Sequence, residues 1–175
     1  MPDKNLIFLT GMPAAGKTYW GLEIAKEYQM QFVDLDYFIT GQEQASMRAL
    51  FAQYGELGFR ERERKHLEKV IKSATGTTVV ACGGGTPCFA NNMQLMKDAG
   101  TVIYLEAAVN TLLFNLNTSD EERPMLNNRG DLGVYLKDLL QKRKEFYEQA
   151  HYILHTKNIS LTTFGKIIES CTNGQ

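Results

Sequence analysis

Cysteine, proline and tryptophan are scarce in this chain, and long apolar runs are absent. Its 175 residues include three cysteines, Cys82, Cys88 and Cys171, none in C-x-x-C spacing, so neither a disulfide framework nor a zinc site is indicated. Reduced thiols in a cytoplasmic protein are the expectation. No apolar stretch approaches the ~18 residues that span a membrane. The opening Met1-Pro2-Asp3-Lys4-Asn5 lacks the basic start and apolar core of a signal peptide. Charge of one sign is not in excess either. Nineteen Lys and Arg against twenty Asp and Glu leave a formal net charge of −1, with no basic stripe to hold a nucleic acid. There is no internal repeat and no low-complexity tract. What remains is a chain long enough to bury a core as one domain over 1–175, expected as a monomer without nucleic-acid or membrane partners.

Against these absences stands one dense motif. Gly11-Met12-Pro13-Ala14-Ala15-Gly16-Lys17-Thr18 matches G-x-x-x-x-G-K-[ST]. Asn5 to Thr10 before it reads as a short buried strand. Tyr19 to Met30 after it reads as a helix, with Trp20, Leu22, Ile24 and Ala25 available for an apolar face. A strand, a glycine-rich turn and a helix N-terminus together point backbone N–H groups and the positive helix end at an anion. Lys17 then sets a point charge on the β- and γ-phosphates, and Thr18 offers its hydroxyl to Mg²⁺. An ordinary strand-to-helix turn would not need all these positions, so the chain is read as binding a nucleoside triphosphate. No N-K-x-D guanine-reading motif occurs, which disfavours a regulatory GTPase.

Strand-like and helix-like segments alternate along the whole chain, the pattern of a parallel sheet wrapped by helices. Strands are expected at 5–10, 31–34, 77–82, 101–105 and, more weakly, 151–155. Thr40-Gly41-Gln42-Glu43 has capping-box spacing and predicts a helix to about Tyr54. A second helix follows over 56–73, with Phe59, Leu67, Val70 and Ile71 on its apolar side. Its run of six charged residues from Arg60 to Lys65 reads as a solvated face. Further helices are expected at about 91–98, 109–116, 132–150 and 162–171. The polar, proline-interrupted segment 117–130 lacks periodicity and reads as a lid. The fold class is thus α/β: three layers, a five-stranded parallel sheet flanked by helices, plus a lid.

Asp34 and Asp36 end the second strand and should face the same crevice as the phosphate loop. One carboxylate can hold a water of the Mg²⁺ shell while the other accepts a proton from a hydroxyl. A polar turn, with Asp36 capping the next helix, is the other reading. Taken alone, Arg60 fits a surface ion pair, Gly83-Gly84-Gly85 a flexible strand exit, and Arg143 a charged helix face. His66, His151 and His155 have no metal-ligand spacing and read as structural, and Trp20 reads as core.

Joint occurrence changes the balance. Phe51-x-x-x-Gly55-Glu56-x-x-Phe59-Arg60-x-x-Glu63, then Gly83-Gly84-Gly85, Arg123-Pro124, and Arg143 with Tyr147 follow the phosphate loop in order. With these residues the chain resembles the shikimate kinase family from the phosphate loop to about residue 150. The resemblance implies phosphoryl transfer from ATP to the 3-hydroxyl of shikimate, a small cyclohexene carboxylate. It implies that Asp36 meets the accepting hydroxyl and that Asp34 helps hold Mg²⁺ through a water. Arg60 and Arg143 would clamp the carboxylate, a task suited to the planar guanidinium fork. Gly83, Gly84 and Gly85 would bring backbone close to the ring, and Arg123 would arrive with the lid to meet ATP and the transferring phosphoryl group. The substrate-binding helical segment would span about 36–73. Glu63, one turn from Arg60, could orient it.

Three positions depart from the family's pattern. Ala14-Ala15 stand where a glycine is frequent, and Glu145 stands where a proline follows the late arginine. Phe114-Asn115-Leu116-Asn117 has no arginine to cover the adenine. Two other functions stand as alternatives. One is a kinase of gluconate or another small polyol, although an acceptor without a carboxylate would give Arg60 and Arg143 no joint purpose. A non-catalytic nucleotide-binding module would not need Lys17, Asp36 and Arg123 together.

Overall fold

In the computed structural model, which describes residues 5–118 and 131–172, strands and helices alternate as the sequence predicts. They are β1 (Asn5–Thr10), α1 (Lys17–Glu27), β2 (Gln31–Asp34), α2 (Leu35–Glu43), α3 (Met47–Ser73), β3 (Thr77–Ala81), α4 (Asn92–Ala99), β4 (Gly100–Glu106), α5 (Val109–Asn117), α6 (Leu132–Tyr147), β5 (Tyr152–His155) and α7 (Leu161–Thr172). A 3₁₀ turn, Thr86–Cys88, precedes α4. The five strands form one parallel sheet in the order β2-β3-β1-β4-β5.

Alternation along β1 builds the three layers. Ile7 and Leu9 point into a core with Ile103, Leu105, Leu112 and Phe164. Leu6 and Phe8 point the other way, against Val80, Val102, Phe59 and Leu67. All four β1 side chains are fully buried, as a central parallel strand covered on both faces requires. β5 lies at the edge, and its exposed Tyr152 and Ile153 account for its weak strand signal.

The helices follow expectation at Gly55 and depart from it elsewhere. The chain turns helical directly after β2, because Asp34 caps α2: its Oδ1 accepts the Tyr37 N–H at 3.1 Å. Thr40 is therefore inside α2, with its hydroxyl donating to the Tyr37 carbonyl, and Glu43 reaches His66 instead of closing a capping box. Ser46, accepting from Ala49 N–H, caps α3. As expected, 47–54 and 56–73 are separate helical stretches, divided by a kink at Gly55, whose φ of 65° and ψ of −176° are non-helical and suit only glycine. Finally, the charged run is not wholly solvated, for Arg60 and Glu63 turn inward. On α1, Ile24 and Ala25 are buried as expected, whereas Leu22 faces outward.

Strand register sets the site. Leu9 pairs with Ala81, and Ala81 with Asp34, so β1, β3 and β2 end side by side. Beyond them lie the phosphate loop, the triple glycine and the paired aspartates, at one crevice outside the carboxyl ends of the strands.

Candidate active site

A cavity of about 640 Å³ opens at these strand ends. Its near wall is the loop from Gly11 to Thr18, with Pro13, Ala14, Ala15, Gly16, Lys17 and Thr18 lining it and Met12 buried behind. Gly16 takes a left-handed conformation and leads directly into α1 at Lys17. Lys17 is buried and folds over the loop, donating to the carbonyls of Gly11 at 3.0 Å and Met12 at 2.8 Å. Thr18 Oγ1 donates to Asp34 Oδ2 at 2.7 Å. The helix cap is therefore Asp34 and not Asp36, the residue that the polar-turn reading assigned to it: one Asp34 oxygen caps α2 and the other faces the phosphate loop. The neighbouring hydroxyl and carboxylate are hard oxygen donors of the kind Mg²⁺ takes.

The far wall converges on Gly83, Gly84 and Gly85. A Cβ at Gly83 would lie 2.7 Å from Glu63 Oε1 and 3.0 Å from Asp36 Oδ1. One at Gly84 would lie 3.2 Å from Arg143 Nη1 and 2.9 Å from Pro13 Cδ, and one at Gly85 would collide with the Arg60 guanidinium. Four charged side chains from three helices therefore meet at a turn that has no side chains of its own. Glu63 braces them. Its Oε2 accepts from Arg60 Nη1 at 2.7 Å, and its Oε1 accepts from Thr86 Oγ1 at 2.6 Å. Tyr147, one turn beyond Arg143 on α6, donates to the Gly84 carbonyl at 2.7 Å and stacks on Tyr104.

Packing so much charge into a recess changes its protonation. Burial, then the nearby carboxylates of Glu63 and Asp34, push the Asp36 carboxyl up to about 7, against the pull of Lys17 and Arg60. Burial opposes the charge on Arg60, but Glu63 beside it prevails and holds the guanidinium firmly protonated. A carboxyl poised near neutrality beside two arginines suits general-base chemistry on an anionic substrate.

Comparison with known proteins agrees with this geometry. The family model described as shikimate kinase matches residues 13–172. A shikimate kinase of Phocaeicola vulgatus is 40% identical over 149 residues, which cover 84% of each chain. This chain belongs to the shikimate kinase family. A crystal structure of shikimate kinase from Bacteroides thetaiotaomicron superposes with a TM-score of 0.88 at 32% identity, covering 94% of this chain and 98% of that one. Shikimate kinase from Acinetobacter baumannii in complex with shikimate gives 0.84 at 30% identity, covering 97% and 93%. Membership fixes the activity class, an ATP-dependent kinase with the P-loop α/β fold.

Within this member of the shikimate kinase family, Lys17, Thr18, Asp34, Asp36, Arg60, Gly83 to Gly85 and Arg143 all line one cavity. Arg123 and the lid expected at 117–130 lie outside the described residues, apart from Asn117, which ends α5, and Thr118. Glu63 orients Arg60 as its i,i+3 spacing predicts; its second bond, from Thr86 Oγ1, has no local sequence signal. Sequence reasoning missed Thr86, and it missed Asn115, whose Nδ2 donates to the Ala14 carbonyl at 2.8 Å. The helix carrying Arg143 runs unbroken through Glu145 to Tyr147. His66 bonds Glu43, and His151 Nδ1 accepts from Val102 N–H, so both act structurally.

Proposed function

We propose that this chain transfers the γ-phosphoryl group of ATP to the 3-hydroxyl of shikimate, yielding shikimate 3-phosphate and ADP in aromatic amino acid biosynthesis. One observation carries the assignment of the acceptor end. Arg60 and Arg143 approach the same glycine turn from opposite helices, next to Asp36. Two guanidinium forks over a side-chain-free turn form a receptor for a small carboxylate, and an uncharged polyol would leave both without an anionic partner.

In the reaction so read, Arg60 and Arg143 anchor the substrate carboxylate and turn the 3-hydroxyl toward Asp36. The Asp36 carboxylate takes the hydroxyl proton as the new O–P bond forms and the bond from phosphorus to the β-phosphate bridging oxygen breaks. Phosphoryl transfer passes through a loose transition state, so positioning and charge neutralisation supply most of the catalysis. Lys17 exchanges the Gly11 and Met12 carbonyls for β- and γ-phosphate oxygens, and the loop N–H groups hold the rest of the triphosphate. Thr18, directly, and Asp34, through a water, are the residues that would hold Mg²⁺, which supplies further neutralisation of the phosphates when bound. Arg123 joins from the lid segment. We read the working unit as a single domain acting as a monomer. A cytoplasmic location accords with three free cysteines and with the absence, among the described residues, of any helix long and apolar enough to cross a membrane.

Coupled ADP release from MgATP tests the proposal. Robust turnover is expected with shikimate, with little above background for gluconate or without acceptor. Gluconate turnover equal to that with shikimate would overturn it.

A further inference from the structure

We propose that Asn115 on α5 is a positioning residue for the phosphate loop, an inference that rests on reading residues 11–18 as the nucleotide site. Ala14 has a φ of 64°, the left-handed region that a residue with a Cβ seldom occupies. Gln29 and Gln44, also in that region, lie at the ends of α1 and α2, and Ala90 just before α4. Ala14 alone among these non-glycine residues lies in the binding loop. Its conformation is held from outside. Asn115 Nδ2 donates to the Ala14 carbonyl at 2.8 Å across 101 positions of sequence. On the other side of the same peptide plane, Ala15 N–H donates to the Met12 carbonyl at 3.1 Å. Both polar groups of the Ala14–Ala15 peptide are therefore occupied, and the plane cannot turn without breaking one of them.

The post that makes this tie is rigid. Leu112, one turn before Asn115 on α5, is fully buried in the core beside Leu105 and Leu136. Asparagine is a modest helix former, and its short amide is placed here to donate where a helix-favouring alanine or leucine would donate nothing. If the tie is released, the peptide rotates, Ala14 relaxes toward ordinary backbone angles, and the phosphate-facing N–H groups lose alignment. The acceptor end, anchored on α3, β3 and α6, has no share in this device.

Asn115→Asp tests it, because the carboxylate keeps the shape but presents an acceptor to an acceptor. MgADP affinity, followed by the fluorescence of Trp20 beside Gly16, is expected to fall about tenfold, or ~1.4 kcal/mol. The KM for ATP should rise similarly, while the KM for shikimate stays within about twofold. Asn115→Ala should show the same split with a smaller loss, which covers the case in which the aspartate variant folds poorly. Ala14→Gly should suppress the defect to threefold or less, since glycine holds the left-handed conformation unaided. Unchanged MgADP affinity, equal rises in both KM values, or an undiminished defect with Ala14→Gly would each overturn the proposal. Failure of the parent protein to bind MgADP at all would instead overturn the reading of the loop.

Discussion

The two ends of the cavity are made from different material. The donor end is a single stretch, residues 11–18, that offers mainly backbone and one lysine, with Asp34 and Asn115 reaching in from other elements. The acceptor end is assembled from α2, α3, the turn after β3 and α6. It offers four charged side chains, of which Arg60, Glu63 and Arg143 are buried and Asp36 partly so, with Glu63 bonded to Arg60 and Thr86. A triphosphate is common to every nucleotide and can be held by backbone dipoles. A particular small acid must be distinguished from other small acids, and that takes side-chain charges fixed in direction. On the proposed assignment, contiguous sequence holds the shared ligand, and long-range packing selects the particular one.

If the ends are separable, substitutions should sort by ligand. Asp36→Asn removes the proposed general base and should lower kcat by about 10²–10⁴-fold while leaving MgADP affinity within a few-fold. It should also raise stability, and the sign can be checked. The folded-state pKa of Asp36, about 7, lies above its ordinary value of 3.8. Folding therefore loses stability as pH climbs from near 4 through 7. The asparagine variant should melt several degrees above the parent at pH 8 and near it at pH 4. In the parent, kcat/KM for shikimate should fall as pH drops through about 7, where Asp36 takes up its proton. A variant no more stable than the parent at pH 8 would contradict the placement of Asp36 in a dry, acidic recess.

Lys17→Met should reduce turnover by about 10²–10³-fold, the ~3–4 kcal/mol typical of a lost preorganised charge, with little change in shikimate affinity. Retention of a tenth of parental turnover would remove Lys17 from its role. Arg60→Lys and Arg143→Lys keep the charge but lose the fork. Each should raise the KM for shikimate about 10- to 100-fold, from ~1.5–3 kcal/mol per charged hydrogen bond, with the KM for ATP within twofold. An equal rise in both would break the separation of the two ends. The smallest effect belongs to Tyr147→Phe, which frees the Gly84 carbonyl. It should cost about 0.5–1.5 kcal/mol in denaturant unfolding and loosen shikimate binding only slightly.

The same contrast explains what could be read from the chain. All five strands and the donor end were legible, because strand, loop and helix N-terminus are neighbours in sequence and each leaves a local signature. The break at Gly55 was legible too. The acceptor end required the family resemblance, since Arg60, Gly83 and Arg143 are far apart in sequence and each has an ordinary surface reading. The cap of α2 fell to Asp34 and not to Asp36, because the chain turns helical directly after β2 and Asp34 stands at the position whose side chain reaches the Tyr37 N–H. The capping box at Thr40 misled for a related reason: Asp34 starts the helix earlier, and a local motif loses to a better placed competitor. Asn115 was invisible, because a lone asparagine in a helix says nothing about a carbonyl 101 residues away.

The carboxylate clamp is the claim on which the acceptor end depends, and it can be tested by altering both partners. The kcat/KM for shikimate and for its neutral carboxamide analogue should be compared in the parent and in Arg143→Lys. The parent is expected to lose about 100-fold or more on going to the amide, and Arg143→Lys, having already lost the fork, no more than about tenfold. An equal loss in both proteins would show that Arg143 does not read the carboxylate and would contradict the account.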